Sequence, residues 1–174
     1  KGGQILAKIA LDRGVSEIAI TYENSDYGKG LSEVFAAAFQ SGGGVVTANN
    51  PHENGKGDYS AEVGVLASAG GDALAVLGYL DQAGGAIVQG ALDSGAFDLF
   101  VLGDGMIGQA LADSIGSDLN GSFGSVPGST SKGAGKFNEL AAAKGMDGTA
   151  PYVAQSYDAA ALIALAIQKG GAAD

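Results

Sequence analysis

Phenol rings and carboxylates carry most of the chemistry that this sequence can offer. Tyr22 and Tyr27 flank the polar run Glu23-Asn24-Ser25-Asp26, Tyr79 precedes Asp81 and Gln82, and Asp104 lies between Gly103 and Gly105. Each group follows directly on a short apolar run. A phenol supplies an apolar wall with a polar tip, and a carboxylate accepts from an ammonium in a charge-assisted bond. Gathered on one rim, Tyr27, Tyr79 and Asp104 would suit a small organic cation or an amino acid. The same residues would also serve as rim packing, with Asp104 as a helix N-cap. Residue types alone leave both readings open.

Other candidates have less behind them. Gly103-Asp104-Gly105-Met106-Ile107-Gly108 fits the G-x-G-x-x-G pattern of a dinucleotide loop, which raises a Rossmann-like enzyme as an alternative. Against it, the motif would close the fourth strand instead of the first, and Asp104 would set a negative charge beside a pyrophosphate. No second strand ends in an acidic residue about 20 positions on, where a ribose contact belongs. His52, in Asn50-Pro51-His52-Glu53, could join Glu53 or Asp58 on a metal, yet a lone histidine in a polar loop is expected to be solvated or capping. Glu23 and Asp26 could form an acid/base pair, with nothing in the sequence to fix their geometry. Ser129-Thr130-Ser131 lacks a base partner, and no G-x-S-x-G elbow occurs. Asp93, Asp98, Asp113 and Asp118 read as solvating charges and caps. The sequence therefore predicts no catalytic residue, no metal and no cofactor, and an enzyme is not expected.

Composition narrows the classes further. The chain has 174 residues, with 9 Lys and Arg against 19 Asp and Glu, for a formal charge of −10. Phosphate neutralisation needs clustered cations, so nucleic acid is not an expected partner. With no cysteine, disulfide scaffolds, thiolate metal sites and thiol nucleophiles are excluded. Apolar runs fall far short of the ~18 residues of a membrane span, so a soluble chain is expected. The opening Lys1-Gly2-Gly3 runs straight into a helical pattern, which reads as a piece of a longer protein or a mature chain cut upstream.

The elements that must position these residues alternate in type. Glu17–Tyr22, Val45–Ala48, Ala73–Gly78 and Asp98–Leu102 read as strands, with a possible fifth at Ser122–Val126. Between them come a helix carrying Leu31, Val34, Phe35, Ala38 and Phe39, one opened by Asp58 and running to Ala69, one capped by Asp81, and a short one at Ile107–Ile115. Glu23–Gly28 and Asn49–Gly57 read as loops. Lys136–Lys144 and Tyr152–Gln168 read as further helices, the last expected to be largely buried. Four β-then-α units in a row predict an α/β fold: a Rossmann-like, doubly wound parallel sheet with helices on both faces. Ligands gather at the carboxyl ends of such strands, where Tyr27, Tyr79 and Asp104 fall. One domain over residues 1–170 is expected, with 171–174 as a frayed tail.

Several of these segments also resemble a known family. Ser25-Asp26-Tyr27-Gly28-Lys29-Gly30-Leu31 after a strand, Asp58-Tyr59-Ser60 opening a helix, Gly78-Tyr79 ending a strand, Phe100-Val101-Leu102-Gly103-Asp104-Gly105 and Tyr157-Asp158-Ala159-Ala160-Ala161 are similar to branched-chain amino acid binding proteins. These are type I periplasmic solute-binding proteins of ABC importers, in which two α/β lobes close on a solute. The resemblance runs from Gln4 to about Gly170 and implies the second lobe, without the first. It implies that Tyr27 and Tyr79 are ring contacts to the solute and that Asp104 accepts an α-ammonium. It further implies capture without chemistry, a periplasmic location, a membrane permease as partner, and a monomer. Members that bind leucine-type ligands carry Glu where Asp104 stands, so the solute here would sit differently or be another one. A ligand-sensing regulatory module of the same fold is the remaining alternative.

Overall fold

Strand residues alternate between two apolar layers in the computed structural model, which describes residues 1–128 and 132–171. In β1 (Glu17–Glu23), Ile18 and Ile20 join Leu6, Phe35 and Phe39, while Ala19 faces the opposite way with Val63, Leu66 and Ile87. In β3 (Ala73–Leu77), Ala73, Ala75 and Leu77 go to the first layer and Leu74 and Val76 to the second. β4 (Phe100–Leu102) repeats the division, with Val101 on one side and Phe100 and Leu102 on the other. This is the two-residue period of a pleated strand with both faces covered. All five residues of β3 are accordingly buried.

The strands form one parallel sheet in the order β2-β1-β3-β4-β5, with β2 (Val45–His52) and β5 (Phe123–Gly124) at its edges. Helices α1 (Gly2–Asp12) and α2 (Asp26–Ser41) cover one face. Helices α3 (Ser60–Ala69), α4 (Gly85–Asp93) and α5 (Gln109–Ile115) cover the other. The expected doubly wound α/β architecture is therefore present. Phe35 and Phe39 are fully buried, with ring centroids 5.8 Å apart. Burial of each contributes roughly 1.5–3 kcal/mol. No helix among the described residues is long and apolar enough to cross a membrane.

The chain divides into two compact units, residues 1–126 and 127–174. The sheet lies in the first. The second holds α6 (Lys132–Ala142) and α7 (Val153–Gly170), with the Phe137 and Tyr157 rings 5.1 Å apart. Between the helices, Met146 N–H donates to the Ala141 carbonyl at 3.0 Å, and Asp147 Oδ1 accepts from Thr149 N–H at 2.8 Å.

Several sequence expectations need correction. The run Asn49–Gly57 is not all loop, because β2 continues through Pro51 to His52. As an edge strand it pairs with β1 alone, so the missing N–H of Pro51 leaves no ladder bond unmade. Asp26, Tyr27 and Gly28 are not loop either: they form the first turn of α2, whose cap is Ser25. Asp58 does not cap α3 directly. It accepts from Ser60 N–H at 3.0 Å, and Tyr59 holds the cap position. Asp81 lies in a wide turn, Leu80–Gly84, that separates β3 from α4, and the cap of α4 is Gly84. β4 begins only at Phe100, where pairing with Leu74 begins. Most consequentially, α7 has no buried residue: Leu162 is 70% exposed and Ile163 and Leu165 are 62% exposed. An apolar helix is buried only where a second layer covers it, and α6 leaves this face of α7 open. The expected tail beyond Gly171 and the run Ser129-Thr130-Ser131 lie outside the described residues.

Candidate functional site

The sheet order reverses between β1 and β3, since the chain moves from β1 outward to β2 and then returns to build β3, β4 and β5 on the other side. The crevice outside the carboxyl ends at such a switch point is where open α/β sheets hold ligands. Tyr27 enters this region from β1. It stands in the first turn of α2, where Ser25 Oγ accepts from Gly28 N–H at 3.2 Å. Gly28 must be glycine for this turn, because a Cβ there would lie 2.1 Å from the Glu23 carbonyl oxygen. Tyr79 leaves β3 after Gly78, and Asp104 leaves β4 as the first residue of a tight turn, Asp104–Met106.

The three residues meet. The Tyr27 and Tyr79 rings are 5.5 Å apart, tilted by 33°, and the Tyr27 hydroxyl donates to Asp104 Oδ1. Both rings stay accessible, at 37% and 38% exposure, while Asp104 is half-buried. The carboxylate is not spent as a helix cap, because Gly108 caps α5. Gly105 lets Tyr79 lie flat on the turn: a Cβ there would fall 2.4 Å from the Gly78 carbonyl oxygen and 2.7 Å from Tyr79 Cδ1. A carboxylate oriented by a phenol proton, with aromatic faces beside it, is suited to accept from a cationic donor. Tyr22 does not join them, since it packs against the α1–α2 face.

The Gly103–Gly108 loop is occupied by its own chain. Gly103 N–H donates to the Val76 carbonyl at 3.0 Å, Met106 N–H to Gly103 at 3.0 Å, and Ile107 N–H to Asp104 at 3.3 Å. Those amides are turned inward, whereas a phosphate loop lines its N–H groups toward the ligand.

His52 contradicts the solvated role expected of it. It is buried at 1% exposure, with Nδ1 2.8 Å from Thr21 Oγ1 and Nε2 without a hydrogen-bond partner. Burial lowers its pKa from the ordinary value, against the opposing pull of Glu23, Glu62 and Glu53. Around it the loops after β1 and β2 are clasped reciprocally. Asn24 Nδ2 donates to Glu53, Asn54 Nδ2 donates to Glu23 at 2.6 Å, and Asn24 N–H donates to the His52 carbonyl at 2.9 Å. Glu23 also accepts from Ser25 Oγ at 3.3 Å, so its carboxylate is engaged by Asn54 and Ser25. The signal for this cluster was the period of two in Ala48, Asn50 and His52, all turned inward, against the exposed Asn49 and Pro51. Among the described residues no group of three or more His, Asp or Glu could hold a metal.

The chain matches no protein-family model and no curated protein. Among solved structures it is similar to the leucine-binding protein LivK of Thermotoga maritima, at 26% identity and a TM-score of 0.81, over 99% of this chain and 51% of that one. The branched-chain amino acid binding protein LivJ of Streptococcus pneumoniae, solved with isoleucine, matches at 23% identity and 0.74, over 96% and 49%. A solute-binding protein of Rhodopseudomonas palustris, solved with 4-hydroxybenzoate, matches at 17% and 0.54, over 65% and 33%. LivK and LivJ are branched-chain amino acid ABC transporter substrate-binding proteins, and the chain has the type I periplasmic binding fold of these neighbours, as the sequence motifs implied. The chain spans about half the length of LivK and LivJ.

Proposed function

We propose that this chain belongs to an extracytoplasmic solute-binding component of an ABC importer, which captures a small amino acid or a related solute between two lobes without transforming it. The observation that carries this reading is the meeting of Tyr27, Tyr79 and Asp104 at the switch point of the sheet. Asp104 takes the ammonium of the solute, and the two rings wall its apolar part. A carboxylate already oriented by Tyr27 loses little freedom on binding, which favours affinity. Residues 1–170 form one lobe in this reading, and the other lobe supplies the hydroxyls and amides that hold the solute's carboxylate. The receptor works as a monomer in the periplasm and delivers its solute to a membrane permease.

The neighbours solved with isoleucine and with 4-hydroxybenzoate bracket the solute classes to try. An NMR amide-shift titration of the chain with amino acids, aromatic carboxylates, amides and NADH separates the possibilities. Shifts at Tyr27, Tyr79 and Asp104 with an ammonium-bearing solute are expected. Shifts spread over Gly103–Gly108 with NADH would replace this reading by a nucleotide-dependent enzyme. Asp104→Asn should weaken binding of the ammonium solute by roughly 1.5–3 kcal/mol, the range for bonds to charged groups. Unchanged affinity would remove Asp104 from the site.

A further inference from the structure

The polar node beneath the two tyrosines is not explained by solute contact. His52 adjoins the segments that carry both rings. A Cβ placed on Gly78, the residue before Tyr79, would lie 3.1 Å from His52 Nε2 and 3.5 Å from Glu23 Cβ. His52 and Glu23 therefore share the space behind the end of β3. Glu23 reaches Tyr27 by another route: it accepts from Ser25 Oγ, which in turn accepts from Gly28 N–H in the first turn of α2. His52 hangs from Thr21 by Nδ1, and its Nε2 has no partner.

We propose that His52 is a positioning residue that couples the placement of Tyr27 and Tyr79 to its own protonation, making the solute site sensitive to pH. Neutral, the ring sits behind Gly78 with one nitrogen bonded to Thr21. When it takes a proton from solvent, both ring nitrogens become donors, and a buried donor without an acceptor is costly. Glu23 is the carboxylate that shares its space. Drawing Glu23 toward Nε2 takes it from Ser25 and Asn54, which loosens the cap of α2 under Tyr27.

The charged and titratable groups around His52 agree with this direction. β1 contributes Glu23, the loop after β2 contributes Glu53, and α3 contributes Glu62, which is paired with Lys56. Tyr59 lies at the start of α3, its phenol oxygen accepting from Lys56 N–H at 3.2 Å. β3 contributes no charge, being apolar throughout. Burial holds the folded histidine below its ordinary pKa, so the change falls on the acid side of that value.

This inference rests on the two tyrosines being the solute walls, but its test needs no solute, so its failure leaves that reading standing. The His52 ring signals, the Gly28 amide and the Tyr27–Tyr79 ring cross-peaks are followed by NMR from about pH 8 to about pH 5, the range in which a histidine titrates. In the wild-type chain the Gly28 amide and the ring cross-peaks should change with the same midpoint as the His52 ring. His52→Gln, which keeps a hydrogen bond to Thr21 without a titrating group, should leave both signals flat over that range. Glu23→Gln should let His52 titrate while Tyr27 and Gly28 stay unmoved, which keeps the test available if the first variant does not fold. Constant Tyr27 and Gly28 signals through the wild-type titration would overturn the proposal. So would the same transition persisting in His52→Gln.

Discussion

β3 is built from Ala, Leu and Val alone, α7 draws most of its residues from the same three with Ile, and their fates differ completely. All five residues of β3 are buried, and none of the eighteen in α7 is. β3 lies inside a sheet flanked by strands on both sides and by helices above and below, so every side chain has neighbours whichever way it points. α7 has the short helix α6 in its own unit, and Leu162, Ile163 and Leu165 remain open to solvent. An apolar run states a demand for cover. Whether the demand is met depends on the layers around it, and the difference separates what stabilises this chain from what it holds in reserve.

That contrast can be tested by substitution. Phe39→Ala removes a fully buried ring from the layer beneath β1 and β3, and should destabilise the first unit by about 3–5 kcal/mol in denaturant melts. Gly28→Ala adds one methyl against the Glu23 carbonyl, where no side chain can move aside. A cost of about 1–3 kcal/mol is expected, together with displaced Tyr27 ring signals. Acid should act more gently. Because burial lowers the pKa of His52, the unfolded chain binds its proton first. That share of stability is intact above the ordinary histidine value, falls as the pH drops below it, and levels off once the folded group titrates too. His52→Gln should flatten this part of the stability–pH curve. Least of all, Leu162→Ala and Leu165→Ala should change the stability of this chain by no more than about 0.5 kcal/mol. A loss above about 2 kcal/mol in either would mean that α7 is packed as tightly as β3.

How far the sequence could be read follows the same line. The strand–helix alternation was plain, because apolar runs such as Ala73–Leu77 and the helical spacing of Val34, Phe35, Ala38 and Phe39 are local patterns. Tyr27, Tyr79 and Asp104 could be singled out because the ends of parallel strands fall on one rim whatever the details. Their hydrogen bond and ring contact depended on Gly28 and Gly105 permitting close approach, which one sequence does not reveal. The far end of β2 is hidden in the sequence because Asn49-Asn50-Pro51-His52 has the composition of a turn, and only its place at the edge makes Pro51 tolerable. The burial of His52, the last residue of that strand, is hidden with it. Asp58 and Asp81 have the residue type of caps, but the chain spends them in a local turn and a wide loop. The composition of α7 overstates its burial, because composition records preference and not neighbours.

The edges of the sheet carry a last consequence. β2 presents a proline on its outer side, and β5 is only two residues long. An incoming strand from another molecule needs a run of free donors and acceptors to pair with; Pro51 interrupts that run on β2, and β5 is too short to supply one. Fibril growth by sheet extension is thereby obstructed at both ends without any charged gatekeeper. Concentrated solutions of this chain should accordingly self-associate through the greasy stripe of α7, reversibly and in a salt-tolerant manner, and not by stacking strands into amyloid.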